Sequence, residues 1–393
     1  MNSGRRLLIS AGEVSGEHHA ARVVSALKRL DSGLEIDCFG GRHLEAAGAR
    51  LIYPLSDFAV LGFAGVFKNL SRFVKILALF DRYLEQHRPD AVVLVDYPGL
   101  HVRFAALAHR RGVKVVYFVC PQLWAWAPWR AARFARCVDH ALTILPFEER
   151  YFARRGIEAR YVGHPAADEL ASTADTAQDL DLEELIGDGA PPIALLPGSR
   201  PQEARSNLPL MLDVALRLQD SLPGAIFLVP QTRDDTRRVC SEIVAKHPCE
   251  PVRIVNSARP VLKLARFALV ASGTATFEVA CHGVPMVVLY RITRFQEFLG
   301  RQLLTVPWIS QVNLIAGREL VPEFVTAGHP VEEITAAALE LIGETSTRGE
   351  CLEALSSTFR FAFLPGASAR AAGEILKVLG GRVGSLEKDP ESC

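Results

Sequence analysis

Residues 268–290, ALVASGTATFEVACHGVPMVVLY, restrict the fold more than any other stretch of the chain. Residues 268–271 and 286–290 are short apolar runs bounded by turn residues, as buried strands are. Between them lie a Ser272-Gly273-Thr274 turn and a short helical segment, 275–281, which Gly283 and Pro285 end. Two buried strands joined by a helix form a βαβ unit, and such a unit belongs to a parallel sheet covered on both faces. The turn stands at the carboxyl end of a strand and opens a helix, so backbone N–H groups and small hydroxyl side chains face a bound anion there. Glu278, one turn into the helix, is placed to accept hydrogen bonds from a sugar hydroxyl.

The same alternation runs along the whole chain. Strands are expected at 7–11, 36–40, 51–54, 91–95, 114–120 and 140–145, with a helix over 18–30. Residues 168–192, rich in Asp, Ala, Thr and Gly and without periodicity, read as a linker. Further strands follow at 193–196, 227–230 and 252–255, ahead of the 268–290 unit. The span 312–323 reads as a polar loop leading to a helix. At 393 residues two domains are expected. The expected fold is α/β, two Rossmann-like domains facing each other across a cleft. Residues 1–167 make the first domain, 193–365 the second, 366–380 a C-terminal helix, and 381–393 a disordered tail.

Lys+Arg and Asp+Glu both total 44, so no global basic field is available for nucleic acid. The eight cysteines are scattered without a CxxC pair, as reduced core thiols in a cytoplasmic protein are. No uncharged run reaches the roughly 18–20 residues a spanning helix needs. Residues 58–80, FAVLGFAGVFKNLSRFVKILALF, carry only Lys68, Arg72 and Lys75 as charges. They read equally as a helix buried between domains and as a segment lying in an anionic lipid interface through Phe63, Val66, Phe67, Lys68 and Arg72.

The turns after the strands hold the candidate chemistry. Gly12-Glu13-Val14-Ser15-Gly16-Glu17 is neither a GxGxxG fingerprint nor a Walker loop. Its acids would repel a phosphate, so Glu13, Ser15 and Gly16 suit a sugar or polyol. Asp96 ends the 91–95 strand, where α/β enzymes place their chemistry, and capping of the next helix explains it equally well. Trp124 and Trp126 read as a platform for a sugar or acyl chain, or as core. Arg200 follows Pro197-Gly198-Ser199 and offers a forked, permanent positive charge to an anion, and the helix N-terminus at 272–274 likewise favours one. No DxD pair and no His/Cys cluster reads as a metal site, and no cofactor is expected.

Two Rossmann-like halves without a dinucleotide fingerprint resemble the two-domain B class of glycosyltransferases (GT-B), whose C-terminal half binds a nucleotide-sugar. The resemblance sharpens with Ala11-Gly12-Glu13-Val14-Ser15-Gly16-Glu17, Val95-Asp96-Tyr97-Pro98-Gly99, Pro121-Gln122-Leu123-Trp124-Ala125-Trp126, Leu145-Pro146-Phe147-Glu148, Val162-Gly163-His164-Pro165, Leu195-Leu196-Pro197-Gly198-Ser199-Arg200, Ala271-Ser272-Gly273-Thr274-Ala275 and Asn313-Leu314-Ile315-Ala316-Gly317-Arg318-Glu319-Leu320. In this order they resemble the lipid-A-disaccharide synthase family over nearly the whole chain.

The resemblance implies an inverting transfer from UDP-2,3-diacylglucosamine to 2,3-diacylglucosamine 1-phosphate (lipid X), giving a β-1′,6-linked disaccharide and UDP. It implies Asp96 as the catalytic base and Arg200, Ser272, Gly273, Thr274, Glu278, Asn313 and Glu319 as donor contacts. Glu13, Ser15, Gly16, Trp124 and Trp126 fall to the acceptor. It further implies a protein on the cytoplasmic face of the inner membrane of a Gram-negative bacterium, and it leaves room for a homodimer. Glu17, Gly65, Pro201, Gly99 and His101 depart from the pattern of many relatives. Two competing readings are a GT-B relative acting on UDP-N-acetylglucosamine, as a 2-epimerase or peptidoglycan-type transferase, and an inactive lipid- or nucleotide-binding paralogue.

Overall fold

In the computed structural model the described residues are 5–55, 70–125, 128–172, 192–303, 305–362 and 365–380. The chain divides into two compact units, one comprising Met1–Ala171 and Leu364–Cys393, the other Ser172–Phe363. The first is built on seven parallel strands: β1 (Arg6–Ala11), β2 (Glu35–Gly40), β3 (Arg50–Pro54), β4 (Ala91–Val95), β5 (Lys114–Phe118), β6 (His140–Thr143) and β7 (Glu158–Tyr161). Their order in the sheet is β3-β2-β1-β4-β5-β6-β7. Every residue of β4 is buried, as a central strand covered by helices on both faces requires.

The helix Leu70–His87 buries Ile76, Phe80, Tyr83 and Leu84, the i, i+4, i+7, i+8 stripe of a helix lying on a sheet. Phe80 stacks on Phe104 with ring centroids 3.7 Å apart, and Phe39 meets both edge-on. The C-terminal part of the apolar 58–80 segment is therefore core on one face. Arg72, Val74, Lys75 and Leu79 lie on its exposed face. Phe63, Val66, Phe67 and Lys68 lie outside the described residues.

The second unit carries six parallel strands: β8 (Pro192–Leu196), β9 (Ile226–Pro230), β10 (Val252–Val255), β11 (Phe267–Ala271), β12 (Met286–Arg291) and β13 (Glu323–Thr326). They are ordered β10-β9-β8-β11-β12-β13. The unit expected at 268–290 is present as β11, the helix Thr274–Cys281 and β12, with Val270 paired to Val288. The span 312–323 departs from expectation. It holds a helix, Gln311–Ala316, and leads into the edge strand β13. Four half-buried or exposed residues on a sheet edge give no apolar run, so β13 is silent in the sequence.

The first helix also differs, running Val14–Leu30 instead of starting at 18, which places Ser15 and Gly16 in its first turn. The helix Pro165–Ser172 continues past 168, where the linker was expected to begin, and residues 173–191 are outside the described ones. The helix Ala367–Val378 belongs to the first unit, packing on Val14–Leu30 and β5. Asp168 fixes its start by accepting hydrogen bonds from the amides of Gly366, Ala367 and Ser368 at 2.5, 2.9 and 2.8 Å.

Candidate active site

Each sheet has one topological switch point, where the chain leaves neighbouring strands in opposite directions and opens a crevice at their carboxyl ends. In the first unit it lies between β1 and β4, which pair as far as Ala11 and Val95. The turns that follow them are Gly12-Glu13 and Asp96-Tyr97, so the sheet order alone brings these two sequence candidates together.

The Asp96-Tyr97 turn is an uncommon backbone. Both residues have left-handed φ, +52° and +49°. That conformation costs a non-glycine residue about 1–2 kcal/mol. Its surroundings fix it. The Asp96 amide donates to the Phe118 carbonyl at 3.0 Å. The Asp96 carbonyl accepts from Tyr117 Oη and His101 Nδ1, each at 2.7 Å. The Tyr97 ring covers Gly12 so closely that a Cβ there would sit 2.2 Å from a ring carbon, so only glycine fits. Gly16 faces the Cβ of Asp96. Glu13 is half-buried, and its charge, after burial itself, raises the Tyr97 phenol pKa. Ser15 is exposed. Glu17 is buried and accepts from the His43 amide at 2.8 Å, a structural tie between two helices.

Trp124 differs from the platform reading. It is buried, meets Phe147 edge-on, and donates Nε1–H to Glu148 Oε1 at 3.0 Å. Glu148 is wholly buried and also accepts from the amides of Ile144 and Leu145. Burial pushes its pKa up to about 7 against those three donors. Trp126 is outside the described residues. His164 is buried and accepts from the Ala166 amide, which opens the next helix.

In the second unit the switch point lies between β8 and β11, paired as far as Leu196 and Val270. The flanking turns are Pro197-Gly198-Ser199-Arg200 and Ser272-Gly273-Thr274. They end their strands alike and differ in what fills the helix N-terminus. Glu203 Oε2 accepts from the amides of Ser199 and Arg200, so a carboxylate already occupies the start of the helix Pro201–Ser221. Buried Asn207, Gln231 and Thr236 donate to the carbonyls of Pro197, Gly198 and Ser199. The charged group exposed at this turn is the Arg200 guanidinium, resting 3.2 Å from Glu203 Oε1.

The helix Thr274–Cys281 has no acidic residue in its first turn and no side-chain cap. Gly273 holds φ +152° with ψ −161°, a region open essentially to glycine alone, and among the described residues no atom lies within 4 Å of where a Cβ would be. Here the helix start is open to an anion. Ser272 and Glu278 are half-buried, and Gly273 and Thr274 are exposed.

Ser272 Oγ donates to the Ile309 carbonyl, tying this turn to the loop that carries Asn313 and Glu319. Asn313 is fully buried. Its Nδ2 donates to Val321 O and Glu323 Oε1, and its Oδ1 accepts from the amides of Leu320 and Val321. All four hydrogen-bonding sites of the amide are thus used within the protein. Asn313 braces the loop, and the exposed side chains that the loop presents are Arg318 and Glu319. Glu323 completes the brace by accepting from the amides of Ile309 and Ser310. Glu323, Asn207, Gln231 and Thr236 carry no local signature, whereas Glu203 is marked by its capping spacing after Arg200. Among the described residues no group of three or more His, Cys, Asp or Glu is arranged to hold a metal.

Comparison with known proteins decides the family. A family model described as lipid-A-disaccharide synthetase matches residues 7–362. The chain belongs to the lipid-A-disaccharide synthetase family. The lipid-A-disaccharide synthase of Anaeromyxobacter dehalogenans is 36% identical over 375 residues, covering 95% of this chain and 97% of that one. Among solved structures, Staphylococcus aureus MnaA with UDP superposes with a TM-score of 0.66 at 14% identity, covering 97% of this chain and 98% of the other. The calicheamicin glycosyltransferase CalG4 gives 0.60 at 18% identity, covering 96% and 98%. At these identities the structures speak for the fold alone, the two-Rossmann-domain GT-B fold. The family match sets this synthetase-family chain apart from the 2-epimerase and peptidoglycan-type alternatives, which are not favoured.

Proposed function

We propose that this chain transfers the diacylglucosamine unit of UDP-2,3-diacylglucosamine to 2,3-diacylglucosamine 1-phosphate, inverting the anomeric centre and releasing UDP. The family match over residues 7–362 carries the reading. The acceptor hydroxyl has a pKa far above neutrality, so a base must take its proton as the new bond forms. Asp96, at the first switch point, is that base. Inversion requires one in-line displacement without a covalent enzyme intermediate. Negative charge develops on the leaving diphosphate, and the open helix start at Ser272–Thr274 with the Arg200 guanidinium stabilises it. Glu278 and Glu319 bind donor hydroxyls, while Glu13, Ser15 and Gly16 line the acceptor side.

The reading also places the protein on the inner face of the inner membrane. Among the described residues no helix is long and apolar enough to cross a membrane. Trp129 is 63% exposed. With Arg136 and Arg155 it lines a surface cavity of about 540 Å³. An indole beside guanidinium groups suits an anionic headgroup layer. Mass spectrometry of the product from the two diacylated substrates tests the function. A UDP-dependent disaccharide monophosphate carrying four acyl chains is expected. UDP release without it, or transfer from a non-acylated donor, overturns the reading.

A further inference from the structure

We propose that His101, together with Tyr117 and Ser10, is a positioning device for the Asp96 carboxylate, acting through the Asp96 backbone without touching substrate. The inference rests on the assignment of Asp96 as the base. His101 lies in the helix Pro98–Arg110, five residues beyond Asp96, and none of its surface is exposed. A buried imidazole must have partners for both nitrogens. A carbonyl oxygen only accepts, so Nδ1 carries the proton and donates to Asp96 O at 2.7 Å. In the neutral ring Nε2 is then the acceptor, and Ser10 Oγ, also wholly buried, donates to it at 2.9 Å. Burial holds the His101 pKa down at about 4, so this tautomer persists at neutral pH.

Ser10 is on β1, and Tyr117 and Phe118 are on β5, the two strands that flank β4. Residue 96 is therefore tied at its amide to Phe118 and at its carbonyl to two further donors. Two consecutive left-handed residues persist only where the surroundings over-determine them. The direction in which the Asp96 side chain leaves the backbone is set by this same peptide geometry. Loss of the imidazole donor frees the 96–97 turn to relax toward negative φ, which re-aims the carboxylate while the rest of the crevice stays in place.

The test is steady-state kinetics with UDP-2,3-diacylglucosamine and 2,3-diacylglucosamine 1-phosphate on His101→Leu, His101→Gln, His101→Asn, Asp96→Asn and the Asp96→Asn/His101→Leu double variant, with thermal midpoints for each. Asparagine can set an N–H where Nδ1–H stands, whereas glutamine reaches the Nε2 position. His101→Leu and His101→Gln are expected to lose about tenfold to a hundredfold in kcat with both KM values within about twofold. His101→Asn should stay within about threefold of the parent, and the double variant should be no slower than Asp96→Asn alone. A purely structural histidine would move the thermal midpoint and leave kcat of the folded fraction unchanged. Parent-level kcat in His101→Leu beside an inactive Asp96→Asn overturns the positioning role and leaves the base assignment standing. Full activity in Asp96→Asn removes the base assignment and this inference with it. If His101→Leu does not fold, equal loss in the asparagine and glutamine variants overturns the proposal.

Discussion

Arg200 and Asp96 show how differently two candidate site residues are supported. The Arg200 guanidinium meets Glu203 in an exposed ion pair, a kind of pair worth about 0–1 kcal/mol. An exposed pair contributes little to stability, so Arg200→Ala is expected to leave the unfolding midpoint nearly unchanged. If its guanidinium meets the charge developing on the diphosphate, kcat should fall about 10²–10³-fold, by the measure of a lost transition-state donor. Parent-level turnover in that variant would remove Arg200 from the site. Asp96, by contrast, sits in a strained backbone held by hydrogen bonds to Phe118 and Tyr117 of β5 and to His101 of the helix Pro98–Arg110. Asp96 was legible as a carboxylate at a strand end. Its left-handed φ and its bonds to Tyr117 and His101 were not, because those partners lie 21 and 5 residues away and meet it only in the folded sheet.

At the scale of elements, long-range side-chain caps decide where secondary structure ends and docks. Asp168 serves the helix Ala367–Val378 as an N-terminal cap from about 200 residues away. Burial alone would raise its pKa, but the hydrogen bonds from Ser368, Gly366 and Ala367 outweigh it and hold the pKa below the usual aspartate value. A depressed folded-state pKa means the carboxylate stabilises the fold above the unfolded pKa and loses that contribution as pH falls through the folded one. Asp168→Ala is expected to cost about 1–2 kcal/mol in urea unfolding at neutral pH. The gap to the parent should close below about pH 4, where the unfolded aspartate is protonated. A gap independent of pH would show that packing, not the charge, is what the substitution removes. Asn313 and Glu323 make the same point for the loop after Gln311–Ala316, where a motif residue proves to be a brace.

For the whole molecule, two switch points, one per unit, hold the turns that carry Glu13 and Asp96 in the first unit and Arg200 and Ser272–Thr274 in the second, where Ser272 also ties to Ile309 ahead of Asn313 and Glu319. The membrane reading belongs to this scale as well, because it depends on surface assembled from separate helices. Trp129→Ser with Arg136→Gln and Arg155→Gln removes two charges worth about 1 kcal/mol each at an anionic surface. Partition onto phosphatidylglycerol vesicles is expected to fall roughly thirtyfold or more, with turnover of short-chain soluble substrates unchanged. Unaltered co-sedimentation would sink the assignment of this patch.

The sequence by itself determined the alternation of buried strands and helices, the two-domain α/β class, the family, and the turns that carry charge and hydroxyls. Those features are local: an apolar run, a capping residue and a glycine turn are each complete within a few positions. Only the tertiary structure decided which helix start is open to an anion, that Asn313 is spent on its own loop, that Trp124 is core, and that His101 and Tyr117 hold the Asp96 backbone. Each of these depends on hydrogen-bonding partners distant in sequence, and a buried polar group declares its role only when those partners are present.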